Sequence, residues 1–169
     1  MSPKSTQDDV DFDEFAAGAW RRLHWTAYML TGDRHLAEDL AQTALARVYA
    51  RWPKVRHTDA FTYTRRILVN ANVDRLRRRH ITEVLGAEPD ISAGPPDQPD
   101  AVELRDQLVR LLATLTARER KIVVLRYYFG LPEDDVAEEL SVSRGTVKST
   151  ASRALAKLRH NDADVKGVL

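Results

Sequence analysis

Apolar residues recur at helical spacing along most of this chain. The first stripe begins at Phe12 and continues to Leu30, with hydrophobic positions three or four residues apart. This spacing predicts an amphipathic helix that faces a core. Residues 1–10 lack the stripe and are predicted to be a frayed arm. Thr31-Gly32-Asp33 follows the stripe and predicts a helix end and a new N-cap.

Two more stripes complete the first half of the chain. One predicts a helix from about His35 to Trp52, which Pro53 should end because proline cannot continue a helical hydrogen-bond ladder. The other predicts a helix from about Asp59 to Arg79.

Residues 83–100 have a different character. They hold four of the seven prolines and five acidic residues, without apolar periodicity. Proline stiffens such a segment, and no stripe could bury it. We therefore predict an all-α protein with two small helical domains, residues 10–82 and 101–160, joined by a Pro-rich acidic linker.

The second domain should contain a helix-turn-helix. Thr116 and Glu119 form a predicted capping box before a helix that ends at Gly130. An acidic helix over 132–140 and a basic helix over 144–159 follow, and Ser143 is a suitable N-cap for the second. The helix that precedes Thr116 and begins near Val102 should bury a leucine stripe. Residues 160–169 are predicted to be a loose tail. The stripe comprises Leu104, Leu108, Leu111, Leu112 and Leu115.

Charge is strongly segregated although the formal net charge is only +1. Residues 8–14 carry five acids and no base, whereas residues 61–80 carry six arginines against Asp74 alone. The basic helix of the helix-turn-helix carries five basic residues and no acid. This distribution predicts a polyanionic partner that is bound at two places.

Several classes of protein and site are not expected. The chain has no cysteine, which excludes disulfides and thiolate metal sites. His35 lies at ligand spacing from Glu38 and Asp39 but lacks a third partner, so we expect neither a metal nor another cofactor. No catalytic motif, signal peptide or membrane-spanning run is recognisable. We predict a cytoplasmic protein that is not an enzyme.

The basic helix of the helix-turn-helix is suited to a DNA major groove. One face is apolar, while the other carries cations and short hydroxyls that can contact phosphates and base edges. A solvated basic face is the alternative reading. The candidate contacts are Arg144, Thr146, Lys148, Ser149, Ser152 and Arg153.

A second DNA-binding surface is predicted on the helix over 59–79. Aromatic rings beside arginines suit opened DNA, since bases stack on rings while cations follow the backbone. A solvated basic helix end with aromatic residues in the core is the alternative. The candidate residues are Tyr63, Arg65, Arg66, Asn70, Asp74, Arg77 and Arg78.

The helix over 35–52 has a polar outer face that could dock a partner helix. Acid and amide groups on a rigid helix suit the rim of a protein interface, although a solvated face explains the composition equally well. The residues concerned are Glu38, Asp39, Gln42 and Thr43.

Three segments together resemble the bacterial extracytoplasmic-function (group IV) sigma factors of RNA polymerase. They are AEDLAQTALARVYARW at 37–52, TYTRRILVNANVDRLRRR at 62–79, and the segment from LTARERKIVVLRYYFGL through the helix-turn-helix at 115–159. The runs RRILVN and LRYYFGL resemble the actinobacterial sigma-E-type branch. The resemblance covers residues 12–159 and implies a second domain of the sigma-four, winged-helix-like type.

The resemblance implies particular roles and partners. Asp39 and Gln42 would grip the coiled coil of the beta-prime clamp, and Asn70 would read a flipped minus-ten base. The arginines beside Asn70 would hold the DNA backbone, and Lys148 to Arg153 would contact the minus-thirty-five element. The linker would thread the RNA exit path. The implied partners are core polymerase (beta-prime clamp and beta flap), promoter DNA and an anti-sigma factor.

Two rival functions remain at this point. A conventional helix-turn-helix regulator would bind duplex DNA without joining polymerase, and an adaptor or anti-factor would bind no DNA. The first would have no use for the basic, aromatic-led helix that carries Asn70. The second would leave both basic faces unexplained.

Overall fold

Four helices build the first half of the chain, and glycine and aspartate separate the first two. In the computed structural model the described residues are 3–84 and 100–166, all helices and short turns with no strand among them. The first half contains α1 (Pro3–Thr31), α2 (Arg34–Tyr49), α3 (Trp52–Val55) and α4 (Ala60–Val84). Gly32 has a positive φ of 70°, and Asp33 caps α2 by accepting the Leu36 N–H at 3.0 Å.

The core of this first unit lies between α1, α2 and α4. Leu23 and Met29 of α1 and Leu68 of α4 are fully buried there. Two buried threonines, Thr26 and Thr64, satisfy their hydroxyls by donating to backbone carbonyls one turn earlier, at 2.7 Å. The buried face of α2 is made of three alanines, one leucine and one valine: Ala37, Leu40, Ala41, Ala44 and Val48.

The structure corrects three predicted boundaries in this unit. The predicted frayed arm is wrong for residues 3–10, because α1 already begins at Pro3. Helix α2 ends at Tyr49 rather than Trp52, and Pro53 lies in the first turn of the separate helix α3. Proline is favoured there because its missing N–H would have no partner in a first turn. Helix α4 runs to Val84, five residues beyond the predicted end at Arg79.

The second half of the chain forms its own unit. The chain divides into Met1–Gly94 and Pro95–Leu169, and most of the predicted linker (85–99) lies outside the described residues. The second unit contains α5 (Asp100–Ala113), α6 (Ala117–Val123), a π-helical turn (Val124–Tyr128), α7 (Glu133–Leu140) and α8 (Arg144–Lys166). The predicted capping box is confirmed.

Two predictions about helix length in this unit are wrong. The single helix expected up to Gly130 widens at Val124 into a π turn, where Phe129 N–H bonds the Val124 carbonyl at 3.2 Å. The tail expected to be loose continues α8 to Lys166. Asn161 ties it to the end of α5 by donating to Thr114 Oγ1 at 2.8 Å.

The leucine stripe predicted for α5 is also wrong in part. Leu104 is 70% exposed and Leu108 is 42% exposed, whereas Val109, Leu112 and Leu115 are buried. The buried stripe therefore keeps Leu112 and Leu115 of the predicted one but takes Val109 in place of Leu108, a shift of about 100° around a helix of 3.6 residues per turn. Two large apolar side chains of α5 are left on the surface.

Glu119 joins α6 to α8 in the core of the second unit. Its Oε1 lies 2.7 Å from Lys157 Nζ, and its Oε2 accepts the Thr116 N–H at 3.0 Å. The hydrogen bond from Lys157 is the main cause that lowers the pKa of Glu119, followed by the bond from Thr116. Arg120 then caps the end of α5, donating to the Leu112 carbonyl at 2.9 Å.

We expect Lys157→Met to lower the free energy of unfolding of the second unit by about 1 kcal/mol at pH 7, because a charged hydrogen bond to a half-exposed lysine is lost. The lowered pKa of Glu119 means that this stabilisation is present above the usual glutamate pKa and is lost as pH falls below it. The difference between variant and wild type should therefore begin to shrink near the ordinary glutamate pKa and vanish only once pH has fallen through the lowered pKa of Glu119.

Hydrogen exchange of the α6 and α8 amides in the full chain measures the stability of the second unit. Tryptophan fluorescence would not report on it, because all three tryptophans (Trp20, Trp25 and Trp52) lie in the first unit. Lys148→Met, which removes the same charge from the exposed face of α8, is the control. An equal loss of protection in both variants would contradict a specific role for the Glu119 pair.

Candidate nucleic-acid and protein interfaces

The outer face of α4 brings most of the predicted minus-ten residues together. Positions 63, 66, 70, 74 and 77 are spaced by three or four, which places them on one side of a helix. Arg66, Asn70, Asp74, Arg77 and Arg78 are all exposed. From Tyr63 to Arg77 this face extends about 21 Å at 1.5 Å per residue. It presents an aromatic ring at one end, an amide in the middle and cations at the other end.

Arg65 does not belong to that face. Its side chain is buried, with 3% of the residue exposed, so it cannot reach a phosphate without unpacking. The structure therefore contradicts the predicted contact between Arg65 and DNA. Its positive charge contributes to lowering the pKa of Asp59, whose larger causes are hydrogen bonds from Thr62 at 3.0 and 2.7 Å. Asp59 thereby caps the start of α4, and Arg65 supports the packing there.

Asn70 and Asn72 lie on opposite sides of α4. Asn70 is exposed, whereas Asn72 is buried and its Oδ1 accepts from the Arg75 guanidinium at 3.3 and 3.4 Å. Burial lowers the pKa of Arg75 from its ordinary value. Only the first of the two asparagines can meet a ligand at the surface.

Tyr63 borders a cleft that sequence analysis missed. The cleft has a volume of about 580 Å³ and is lined by the residues Ala50, Arg51, Pro53, Lys54, Val55, Thr58 and Tyr63. Tyr63 is half-buried against Trp52 and Val55, and its hydroxyl accepts from Arg51 Nη1 at 3.2 Å. Arg51 and Lys54 are exposed. The sequence shows two cations, Arg51 and Lys54, close to Pro53, which could have indicated an exposed basic turn. Only the fold shows that they lie next to Tyr63.

The outer face of α2 is fully accessible. Glu38, Asp39, Gln42 and Thr43 are all exposed, opposite the buried alanines of this helix. Gln42 Nε2 donates to Glu38 Oε1 at 3.3 Å, which holds both side chains on the surface. His35 is exposed, and the described part of the chain contains no group of three possible metal ligands.

The helix-turn-helix has the predicted geometry. Ser141 turns the chain with a left-handed φ of 53°, and Ser143 caps α8 by accepting the Thr146 N–H at 3.1 Å. Val147, Ala151 and Ala154 are buried beneath it. The predicted contacts Lys148, Ser149, Ser152 and Arg153 all face outwards from α8.

Arg144 and Thr146 are already engaged within the helix-turn-helix. Arg144 Nε lies 3.1 Å from Glu133 Oε2, and Nη1 lies 3.5 Å from Asp134 Oδ2. The hydrogen bond to Glu133 is the main cause that raises the pKa of Arg144. The Thr146 hydroxyl is 2.8 Å from that of Ser143. The two carboxylates therefore compete with a phosphate for the Arg144 guanidinium.

No described helix is long and apolar enough to span a bilayer.

Comparison with known proteins matches both units to one family. The family model of sigma-70 region 2 matches residues 19–81, and that of sigma-70 region 4 matches residues 105–158. The RNA polymerase sigma-E factor of Streptomyces coelicolor is 37% identical over 89% of this chain and 85% of its own length. The ECF RNA polymerase sigma factor SigL of Mycobacterium tuberculosis is 33% identical over 88% and 84%.

A solved structure shows the same fold. The sigma factor RpoE of Bartonella quintana, crystallised with the anti-sigma factor NepR, matches with a TM-score of 0.70 and 25% identity. The match covers 89% of this chain and 95% of that one.

We expect Arg65→Ala and Arg66→Ala to have opposite effects on stability and on DNA binding, although the residues are adjacent. Arg65→Ala should lower the free energy of unfolding of the first unit by about 2 kcal/mol, as loss of a large buried side chain does. Arg66→Ala should change it by less than about 0.5 kcal/mol, because the residue is exposed, and should weaken binding to single-stranded DNA. Urea unfolding, monitored by tryptophan fluorescence, measures the stability of each variant, and titration with single-stranded DNA measures its binding. Equal destabilisation would contradict the two environments.

Glu133→Gln should tighten binding to nonspecific duplex DNA about threefold at low salt, since the released Arg144 can replace a surface ion pair with a phosphate. Fluorescence anisotropy over a salt series measures this. Glu138→Gln, which removes an exposed acid from the same helix, is the control. Weaker binding by Glu133→Gln would mean that the acid orients Arg144 for DNA instead of competing with it.

Proposed function

This chain belongs to the extracytoplasmic-function sigma factors of bacterial RNA polymerase, and on that basis we propose how its surfaces divide the work of starting transcription. It is similar to the actinobacterial sigma-E factors. A sigma factor binds core polymerase and promoter DNA. The observation that carries the proposal is the face of α4, where Asn70 and the arginines Arg66, Arg77 and Arg78 are aligned and exposed, with the half-buried Tyr63 at one end.

We assign α8 to the minus-thirty-five element. Lys148 and Arg153 would contact phosphates and so position the helix, and Ser149 and Ser152 would face base edges in the major groove. Arg144 would join them once it exchanges its carboxylate partners for a phosphate. Because these cations are few, the helix alone would bind DNA weakly and with strong salt dependence.

We assign α4 and its cleft to the minus-ten element and to strand opening. The Tyr63 ring can stack against an unpaired base, and Arg51 and Lys54 can balance its phosphates. Asn70 can form two hydrogen bonds with the edge of a flipped base. Capture of that base offsets part of the cost of unstacking, which is a few kcal/mol.

Two further surfaces would hold protein partners. The polar face of α2 (Glu38, Asp39, Gln42 and Thr43) would contact the beta-prime clamp. The exposed Leu104 and Leu108 of α5 are apolar and uncharged, so they suit a protein such as the beta flap better than DNA. The Bartonella relative was solved with an anti-sigma factor, and we infer a partner of that kind here.

Polymerase would make the two weak DNA contacts effective together. Once both units are held on one enzyme, the second contact forms at a high effective concentration. The work requires no hydrolysis, so we infer no catalytic activity in the chain itself and place it in the cytoplasm with the promoters. A regulator that binds duplex DNA alone is not favoured, since it needs neither the α2 face nor the α4 face.

Run-off transcription with purified core polymerase and a promoter library tests the proposal. The chain should co-purify with core and direct transcription from a subset of promoters. Failure to do either would contradict it.

Asn70→Ala and Arg153→Ala should separate the two steps. The first should slow open-complex formation about tenfold or more while leaving initial binding nearly unchanged, because Asn70 acts only on unpaired DNA. The second should weaken initial binding several-fold and reduce its salt dependence by about one phosphate contact. Permanganate footprinting measures opening, and gel-shift titration of holoenzyme measures binding. Arg159→Ala, an exposed arginine of α8 outside the assigned contacts, is the control. Equal effects of Asn70→Ala and Arg153→Ala on both steps would contradict the assignment.

A further inference from the structure

The acidic residues near the start of α1 grip the loop that forms the cleft. We call Asp8, Asp9, Asp11, Phe12 and Phe15 the N-terminal clasp and residues 50–59 the cleft loop. No sequence motif gives the acidic run of residues 8–14 a role, and the lack of an apolar stripe predicts a frayed arm for its first residues. In the structure the clasp is helical and lies against residues more than thirty positions later in the chain.

One side of the clasp is a set of polar contacts. Arg56 Nη1 lies 2.6 Å from Asp8 Oδ1 and 3.0 Å from Asp11 Oδ2. The side chains of Arg56 and Asp8 are only 24% and 18% exposed, so water screens this pair less than an ordinary surface pair. The Tyr49 hydroxyl donates to Asp9 Oδ1 at 2.8 Å, and this hydrogen bond raises the pKa of Tyr49.

The other side of the clasp is aromatic. The Phe12 ring lies 4.9 Å from that of Tyr49 and meets Trp52 edge-on at 5.3 Å. The Phe15 ring lies 5.0 Å from that of Trp52. Such ring pairs stabilise beyond the area that they bury. Trp52 is the first residue of α3 and is 4% exposed, so the clasp covers the base of the cleft loop.

The cleft loop depends on such side-chain contacts for its orientation. Its backbone hydrogen bonds are local: Lys54 N–H bonds the Arg51 carbonyl, Arg56 that of Trp52, and Thr58 that of Val55. Local turns determine the shape of a loop but not its direction relative to α4. The contacts that join this loop to the rest of the unit are its buried side chains, the bond from Arg51 to Tyr63, and the clasp.

We propose that the N-terminal clasp positions the cleft loop for strand opening, so that Asp8 and Asp11 are positioning residues of the minus-ten site. The proposal rests on the function assigned to the cleft above. Their carboxylates are occupied by Arg56 and would not touch DNA. Holding Arg56 holds the turn that carries Arg51 and Lys54, and these two cations then line the cleft beside Tyr63.

The test compares two double variants that each remove two negative charges from the same helix. Asp8→Asn with Asp11→Asn removes the partners of Arg56. Asp13→Asn with Glu14→Gln is the matched control, because both residues are exposed on α1. Hydrogen exchange of the amides of residues 54–58 reports on the loop without DNA, and permanganate footprinting of holoenzyme reports on opening.

In the Asp8/Asp11 variant we expect faster exchange in the cleft loop and open-complex formation about tenfold slower, which corresponds to ~1.4 kcal/mol. Binding to core polymerase and to a minus-thirty-five duplex should be unchanged. The control should match the wild type in all four measurements. Asp8→Glu with Asp11→Glu keeps both charges and should restore opening to within about threefold of wild type, a difference of ~0.6 kcal/mol.

Three results would overturn the proposal. Unchanged exchange would show that the clasp does not order the loop. Faster exchange with normal opening would show that loop order is irrelevant to melting. Faster opening would show that the acids repel DNA from the cleft. If wild-type holoenzyme opens no promoter, the assigned function itself fails and the proposal falls with it, while the exchange data still report whether the clasp holds the loop.

Discussion

The close approach of α1 and α4 to α2 is the constraint on which the first unit depends. The buried face of α2 presents Ala37, Ala41 and Ala44, each with no exposed surface. Small side chains let neighbouring helices approach closely, and Leu23 of α1 and Leu68 of α4 are fully buried in the same unit. Since α2 is buried along this side, its opposite side must face outwards. The polar surface that we assign to the polymerase is therefore a consequence of core packing.

Much of this arrangement could be predicted because period and capping are local properties of a sequence. Gly32 with Asp33, the Thr116 capping box and Ser143 all act within four residues, and each has the predicted role. The outward faces of α2 and α8 follow from the same reasoning, because burying one stripe exposes the other. Asn70 is accessible for the same reason.

The wrong predictions concern features that depend on distant residues. Helix α5 offers two adjacent apolar stripes, and only packing in the second unit selects Val109 over Leu108. Arg65 and Arg66 are indistinguishable in sequence, yet one is buried and the other exposed. The start of α1 has no apolar stripe before Phe12, so periodicity could not show that Asp8 and Asp11 would meet Arg56, forty-five residues beyond Asp11.

Beside both basic surfaces, nearby acids pair with some of the cations, in a chain whose formal net charge is only +1. Arg144 is paired with Glu133 on the helix-turn-helix, and Arg56 with Asp8 and Asp11 beside the cleft. Each pair lowers the local positive charge that would attract any DNA, because nonspecific affinity follows the number of phosphates that are neutralised. Arg144 is 66% exposed and can exchange its partner for a phosphate at little cost, whereas Arg56 is 24% exposed and would lose more on leaving its carboxylates. Arg144 thus remains available to a promoter, while Arg56 remains part of the scaffold that shapes the cleft.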